Sequence, residues 1–105
     1  DHPPSWTVAE LEVILDSFEQ LTPNTVVLLQ TILPRADASA EVDAANVALA
    51  ELAERRGLRL IDLHPDFDDG SGGLRIEETT DGIHLAEPGY RRWASTLNQI
   101  LAAGL

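Results

Sequence analysis

Near its C-terminal end the chain carries Asp81-Gly82-Ile83-His84-Leu85-Ala86-Glu87-Pro88-Gly89-Tyr90. A carboxylate stands three residues before an imidazole, on a glycine-containing turn, just ahead of a helix start. The chemistry open to such a pair is activation of a hydroxyl. The imidazole takes the nucleophile's proton, and the carboxylate holds the ring in one tautomer and steadies the imidazolium. Asp-x-x-His also describes a capped turn with a surface histidine, so the surroundings must decide between the two.

Other residues could do chemistry in principle. Ser71, in Asp69-Gly70-Ser71-Gly72-Gly73, is flanked by glycines that could expose its hydroxyl, but no strand-to-helix elbow surrounds it. A flexible loop tip accounts for it better. Asp62, Asp66, Asp68, Asp69 and Glu77 form an acidic stretch that partly fits a calcium loop, with Asp66 first, Asp68 third and Glu77 twelfth. Gly70 and Ser71 then stand where a ligand and a glycine are needed, and a strand rather than a helix leads in. A solvated acidic loop is the better reading. His64, directly before Pro65, either lines the crevice that holds His84 or closes the end of a strand, the structural role being favoured. His2 reads as a solvated residue of the terminal loop. Leu33 and Pro34 form either a pocket wall or a turn.

The elements that must position these residues follow from period and punctuation. Residues 1 to 6 read as a loop held extended by two prolines. Thr7 with Glu10 has the capping-box spacing. Leu11, Ile14, Leu15 and Phe18 then recur at helical spacing, predicting a helix over Val8–Gln20. Thr25–Ile32 is apolar and β-branched almost throughout, as in a strand buried on both faces of a parallel sheet. Val42, Ala45, Val47, Leu49, Leu52 and Ala53 predict a helix reaching Arg56, stopped by Gly57. Leu58–Leu63 is a second strand, and His64–Thr80 an irregular loop rich in Asp and Gly. Pro88 opens the last helix, which turns Tyr90, Trp93, Ala94, Leu97, Ile100 and Leu101 to an apolar side.

Strand, crossover helix and strand make one parallel unit, so the class is α/β. Two parallel strands do not stand alone, and the first is too apolar for a bare edge. The sheet is therefore expected to continue in another part of the molecule or in a partner. In an open α/β sheet, ligands bind outside the C-terminal strand ends, and the Asp81–His84 pair follows the last strand.

Composition sets outer bounds. The 105 residues make one domain at most, and 44% hydrophobic content marks a globular chain. The net charge is −11, from 18 acids against 7 bases, all of them arginine. That balance argues against nucleic acid and against anionic membrane surfaces as partners. No apolar run is long enough for a membrane helix. There is no cysteine, which excludes disulfides and thiolate metal sites and leaves the compartment unread. The first residue is Asp rather than Met, as expected of a processed or excerpted chain.

The block Asp81-Gly82-Ile83-His84-Leu85, followed by Pro88-Gly89-Tyr90 and Trp93-Ala94, resembles the final sequence block of SGNH (GDSL-type) hydrolases, a family of esterases, lipases and carbohydrate deacetylases. Gln30-Thr31-Ile32-Leu33-Pro34-Arg35 resembles the family's strand-to-loop step before its penultimate crossover helix. Asp43-Ala44-Ala45-Asn46 resembles a polar turn of that helix, and Leu60-Ile61-Asp62-Leu63 its last strand. The resemblance runs from about Thr7 to Leu101. It implies a three-layer α/β/α, flavodoxin-like sandwich with a parallel sheet, of which residues 1–105 are the C-terminal half of a single domain. It implies His84 and Asp81 as the histidine and aspartate of a serine triad. It implies neither metal nor organic cofactor, and a carboxylic ester as substrate, short acyl or acetyl, carbohydrate esters included. No Gly-Asp-Ser and no Gly-x-Asn-Asp segment occurs in the chain. The nucleophile and oxyanion hole are expected from the preceding half, in the same or a second chain. Two other classes stay open, an interaction module without chemistry and a calcium-dependent carbohydrate-binding domain.

Overall fold

The computed structural model describes residues 4–104, with side chains from Val8 onward. Helix α1 spans Pro4–Leu21, strand β1 Leu28–Gln30, helix α2 Ser39–Arg56, strand β2 Arg59–Ile61, the short helix α3 His64–Phe67 and helix α4 Glu87–Ala102. Single 3₁₀ turns lie at Ala36–Ala38 and Ile76–Glu78. These elements make two compact units, one of Asp1–Ile32 with Ala40–Leu63, the other of Leu33–Ser39 with His64–Leu105. Among the described residues no helix is long and apolar enough to cross a membrane.

The first unit is a parallel strand pair with its two helices. Leu28 pairs with Arg59, Leu29 with Leu60 and Gln30 with Ile61, and α2 is the crossover between the strands. Leu15 of α1, Leu29 of β1, and Leu52 and Ala53 of α2 form a buried cluster, with Val8, Leu11, Val27, Leu58 and Leu60 packed on it. Burial of each large side chain there contributes about 1.5–3 kcal/mol. Helix α2 ends in a Schellman motif. Gly57 adopts φ +66°, its N–H reaches the carbonyl of Glu54 at 3.3 Å, and the Leu58 N–H reaches that of Ala53 at 2.9 Å. Leu58 then belongs to the core cluster that holds Ala53, so the stop also delivers the chain into β2.

Several expectations are corrected here. Helix α1 begins at Pro4, so Thr7 lies inside the helix and is not its N-cap. The proline-rich start is helical from residue 4 on; His2 lies outside the described residues. Both strands are shorter than the apolar runs that predict them, three residues each. Val26 and Ile32 flank β1 and are exposed, so the run is not buried on both faces throughout. Val47 is exposed on α2, as are Ile14 and Phe18 on α1 and Tyr90 and Leu101 on α4. The His64–Thr80 stretch contains a helical turn and a 3₁₀ turn rather than irregular loop alone.

The second unit carries the Asp-x-x-His segment. Phe67 and Pro34 are fully buried in it, and Leu74 nearly so. Helix α4 has no side-chain cap; Pro88 sits in its first turn, and the residue before it, Ala86, is tied back by its N–H to the carbonyl of Glu78 at 2.7 Å. Gly89 is required at that crossing. A Cβ there would lie 2.7 Å from the Glu78 carbonyl oxygen and 2.8 Å from Leu85 Cδ2.

Candidate active site

The segment from Thr79 to Leu85 is a tight loop closed by its own side chains. Thr79 and Leu85 form an isolated antiparallel bridge at its base. Gly82 turns the chain at φ +78°, a conformation that side chains with a Cβ seldom adopt. The Asp81 carboxylate sits inside the turn. Its Oδ1 accepts the N–H groups of Ile83 and His84, both at 2.8 Å. Its Oδ2 lies 2.8 Å from His84 Nδ1. One oxygen is therefore fixed by backbone, and the other is aimed at the ring.

The electrostatics follow from this geometry. The bond from the His84 ring holds the Asp81 carboxyl well below the usual carboxylate range, and the two backbone N–H groups add to the effect. An ionised carboxylate only accepts, so His84 Nδ1 carries the proton. Nε2 is then the ring atom left to take a proton from a reacting group. The His84 side chain is 76% exposed, so that atom is accessible.

Beneath the loop stands an ion pair that the sequence reading missed. The Glu78 side chain is only 6% exposed. Arg92 of α4 grips it with two nitrogens: Nε bonds Oε2, and Nη2 bonds Oε1 at 2.7 Å. The same guanidinium lies 4.0 Å from the centroid of the Phe67 ring and donates to the Asp66 carbonyl at 2.9 Å. Arg75 donates to that carbonyl as well, at 2.6 Å, and stands 3.5 Å from Glu78 Oε1. The bond from Arg92 holds Glu78 below the usual carboxylate range. Two arginines, one carboxylate and one aromatic face thus lock α3, the 3₁₀ turn and α4 together at the base of the loop.

The remaining candidates separate from this pair. Asp68 Oδ1 accepts the N–H groups of Gly70 and Gly72, each at 2.9 Å. Asp69 Oδ1 accepts from the Ser71 N–H and hydroxyl, both at 2.7 Å. These carboxylates build the Gly-rich turn, which explains why acids cluster there. Asp62 accepts from the buried Thr31 hydroxyl at 3.1 Å. No three acidic or imidazole side chains converge as a metal-binding group among the described residues. Ser71 is exposed on the turn, and its hydroxyl is used in the Asp69 bond. His64 opens α3, and its carbonyl accepts the Asp68 N–H at 3.1 Å. Pro34 is a fully buried packing residue. Asn46 brackets the residue after Gln30-Thr31: it accepts from the Ile32 N–H at 2.7 Å and donates to the Ile32 carbonyl at 2.9 Å.

No protein-family model and no curated protein matches the sequence. Solved structures do. A protein from Streptococcus pneumonia, assigned as a platelet activating factor, superposes with a TM-score of 0.85 at 28% identity, over 94% of this chain and 52% of its own. A GDSL-like lipase from Bacteroides thetaiotaomicron superposes with a TM-score of 0.83 at 17% identity, over 99% of this chain and 55% of its own. A protein from Bacteroides fragilis assigned as an acylhydrolase gives 0.84 at 18% identity, over 98% and 53%. The chain spans about half the length of each. Its small parallel sheet and helices therefore have the fold of a GDSL-type hydrolase, over about half of such a domain.

Proposed function

We propose that this chain supplies the histidine and aspartate of a serine esterase of the SGNH type. The observation that carries the reading is the double engagement of Asp81, with Oδ1 held by two backbone N–H groups and Oδ2 2.8 Å from His84 Nδ1. A capped surface turn needs only the first of these. The likeness to a GDSL-like lipase and an acylhydrolase supports the class of chemistry.

The chain would be the C-terminal half of a three-layer α/β/α domain. A serine in the preceding half attacks the ester carbonyl. His84 Nε2 takes the serine proton and returns it to the leaving alcohol. Asp81 keeps the Nδ1 proton in place and stabilises the imidazolium in both steps. Donors in the preceding half bind the oxyanion. Water repeats the sequence on the acyl-enzyme. The substrate is a carboxylic ester with a short acyl or acetyl group, esters of carbohydrates included.

The test joins residues 1–105 to the preceding half, covalently or in trans, and follows hydrolysis of p-nitrophenyl acetate. Inhibition by a serine-directed phosphonate and a fall of about 10⁴-fold or more in kcat for His84→Ala are expected, because triad members act as a unit. Activity within tenfold of the parent in His84→Ala would sink the reading. Serine-reagent-sensitive activity of the 105 residues alone would move the nucleophile into this chain and onto Ser71.

A further inference from the structure

Thr79 stands at the base of the loop with one hydroxyl among three polar neighbours. Its Oγ1 lies 2.6 Å from the His84 carbonyl oxygen, 2.9 Å from the Gly82 nitrogen and 3.3 Å from Asp81 Oδ1. A hydroxyl has one proton to give. The His84 carbonyl, the nearer of the two acceptors, takes it, and Asp81 Oδ1 is already occupied by the two backbone N–H groups. The Gly82 N–H donates to Thr79 Oγ1. One side chain therefore spans the loop, joining the glycine that makes the turn to the backbone of the histidine whose ring does the chemistry. The backbone of Thr79 is extended, φ −147° and ψ 151°, a conformation that a β-branched residue favours. Its neighbour Glu78 is the residue locked by Arg92. The hydroxyl thus projects from a fixed point.

We propose that Thr79 is the positioning residue of the His84–Asp81 pair. It fixes the His84 carbonyl, hence the backbone from which the ring departs, and it fixes the Gly82 N–H, hence the turn that sets Asp81 opposite the ring. It touches no substrate. This assignment rests on the esterase reading for its kinetic consequence but not for its structural one. A misplacement of about 1 Å at a catalytic group can cost on the order of 100-fold in rate, so a loss of about 10- to 100-fold is expected when the brace is removed.

The variants are Thr79→Val, which keeps shape and branching without the hydroxyl, and Thr79→Ser, which restores the hydroxyl alone. The first readout is the proton resonance of His84 Nδ1–H, followed by NMR on the native protein and both variants. It is expected in the native protein and in Thr79→Ser, and broadened or lost in Thr79→Val. The second is p-nitrophenyl acetate hydrolysis by the assembled enzyme. Thr79→Val should lower kcat about 10- to 100-fold with KM little changed, and Thr79→Ser should recover most of it. An unchanged resonance in Thr79→Val overturns the assignment, whatever the activity. So does equal loss in the two variants, which would mark a packing role for the methyl group. A resonance that responds as expected in a protein without any esterase activity supports the assignment and sinks only the esterase reading.

Discussion

Arg92 and Glu78 form a two-pronged ion pair across fourteen residues of sequence, with the carboxylate 6% exposed and the guanidinium about one-third exposed. The stacking of Arg92 on Phe67 fixes the fork from one side. This pair joins α4 to the turn from which the Asp81–His84 loop departs. Removing Arg92 would leave a buried carboxylate with, among the described residues, the longer contact to Arg75. Arg92→Leu is expected to cost about 3 kcal/mol, the low end for a broken buried pair, because Arg92 keeps partial solvent contact. Urea denaturation measures it. A loss below about 0.5 kcal/mol would mean that the pair behaves like a surface contact. Glu78 is held below its usual range in the folded protein, so its contribution is complete above the ordinary carboxylate range. It is lost as the pH falls through the lowered value, and the difference between native and Arg92→Leu should shrink in acid.

Asp81 is held well below the usual carboxylate range, by the His84 ring first and then by backbone N–H groups. It stays ionised at every pH at which an esterase is ordinarily assayed. The pH–rate profile of the assembled enzyme should therefore show no limb from Asp81 titration above about pH 4, the ordinary aspartate range. Asp81→Asn replaces an acceptor by an amide that can favour the wrong ring tautomer. The expected fall in kcat at neutral pH is on the order of 10³–10⁴-fold. A variant that keeps more than a tenth of native kcat would show that the ring needs no carboxylate.

Asn46 completes the backbone of Ile32 as a neighbouring strand would, one acceptor and one donor on the same residue. Asn46→Ala leaves both groups to water, since Ile32 is exposed, and should cost about 1 kcal/mol. Asn46→Asp keeps the acceptor and loses the donor, so it should retain part of the difference. Chemical denaturation of the three proteins ranks them. Equal stability of Asn46→Ala and native would show that water replaces the side chain without loss.

The Asp81–His84 pairing is legible in the sequence because everything that builds it lies within seven residues. Side chain–backbone bonds in a glycine turn depend on spacing alone, and Asp81-Gly82-Ile83-His84 states that spacing. The parallel strand pair was legible at its centre, where Leu29 is buried, but not in its extent. Val26 and Ile32 have the right composition for a strand and lie outside the three paired residues. Helical period placed Tyr90 on the apolar side of α4, yet Tyr90 is exposed, and the helix crosses the 3₁₀ turn through Gly89 instead. The Glu78–Arg92 lock was hidden for another reason. Glu78 stands in an acid-rich stretch where one carboxylate looks like any other, and its partner is brought in only by tertiary folding. The acidic residues at 68 and 69 fit a calcium loop in part because a turn acceptor and a metal ligand are the same side chain, and the solvated-loop reading of that stretch agrees with the turn bonds they make.

The last prediction concerns the edges of the strand pair. Among the described residues the sheet holds β1 and β2 alone, so each strand is paired on one side. Two strands are marginal in water by themselves, and here helices α1 and α2 supply the apolar cover. Among the described residues, that leaves each strand with one edge that has no strand neighbour. The exposed Val26 and Ile32 flank β1. If residues 1–105 complete a larger domain, a strand from the preceding half should dock along such an edge. Hydrogen exchange distinguishes the cases. In the 105-residue chain alone, the outward amides of β1 and β2 should exchange much faster than the inward, cross-strand ones. In the assembled domain, the outward amides of at least one strand should slow by about tenfold for each 1.4 kcal/mol of added local stability. Uniformly slow exchange along both strands in a monodisperse 105-residue monomer would show that the sheet needs no neighbour, and the half-domain reading would fail with it.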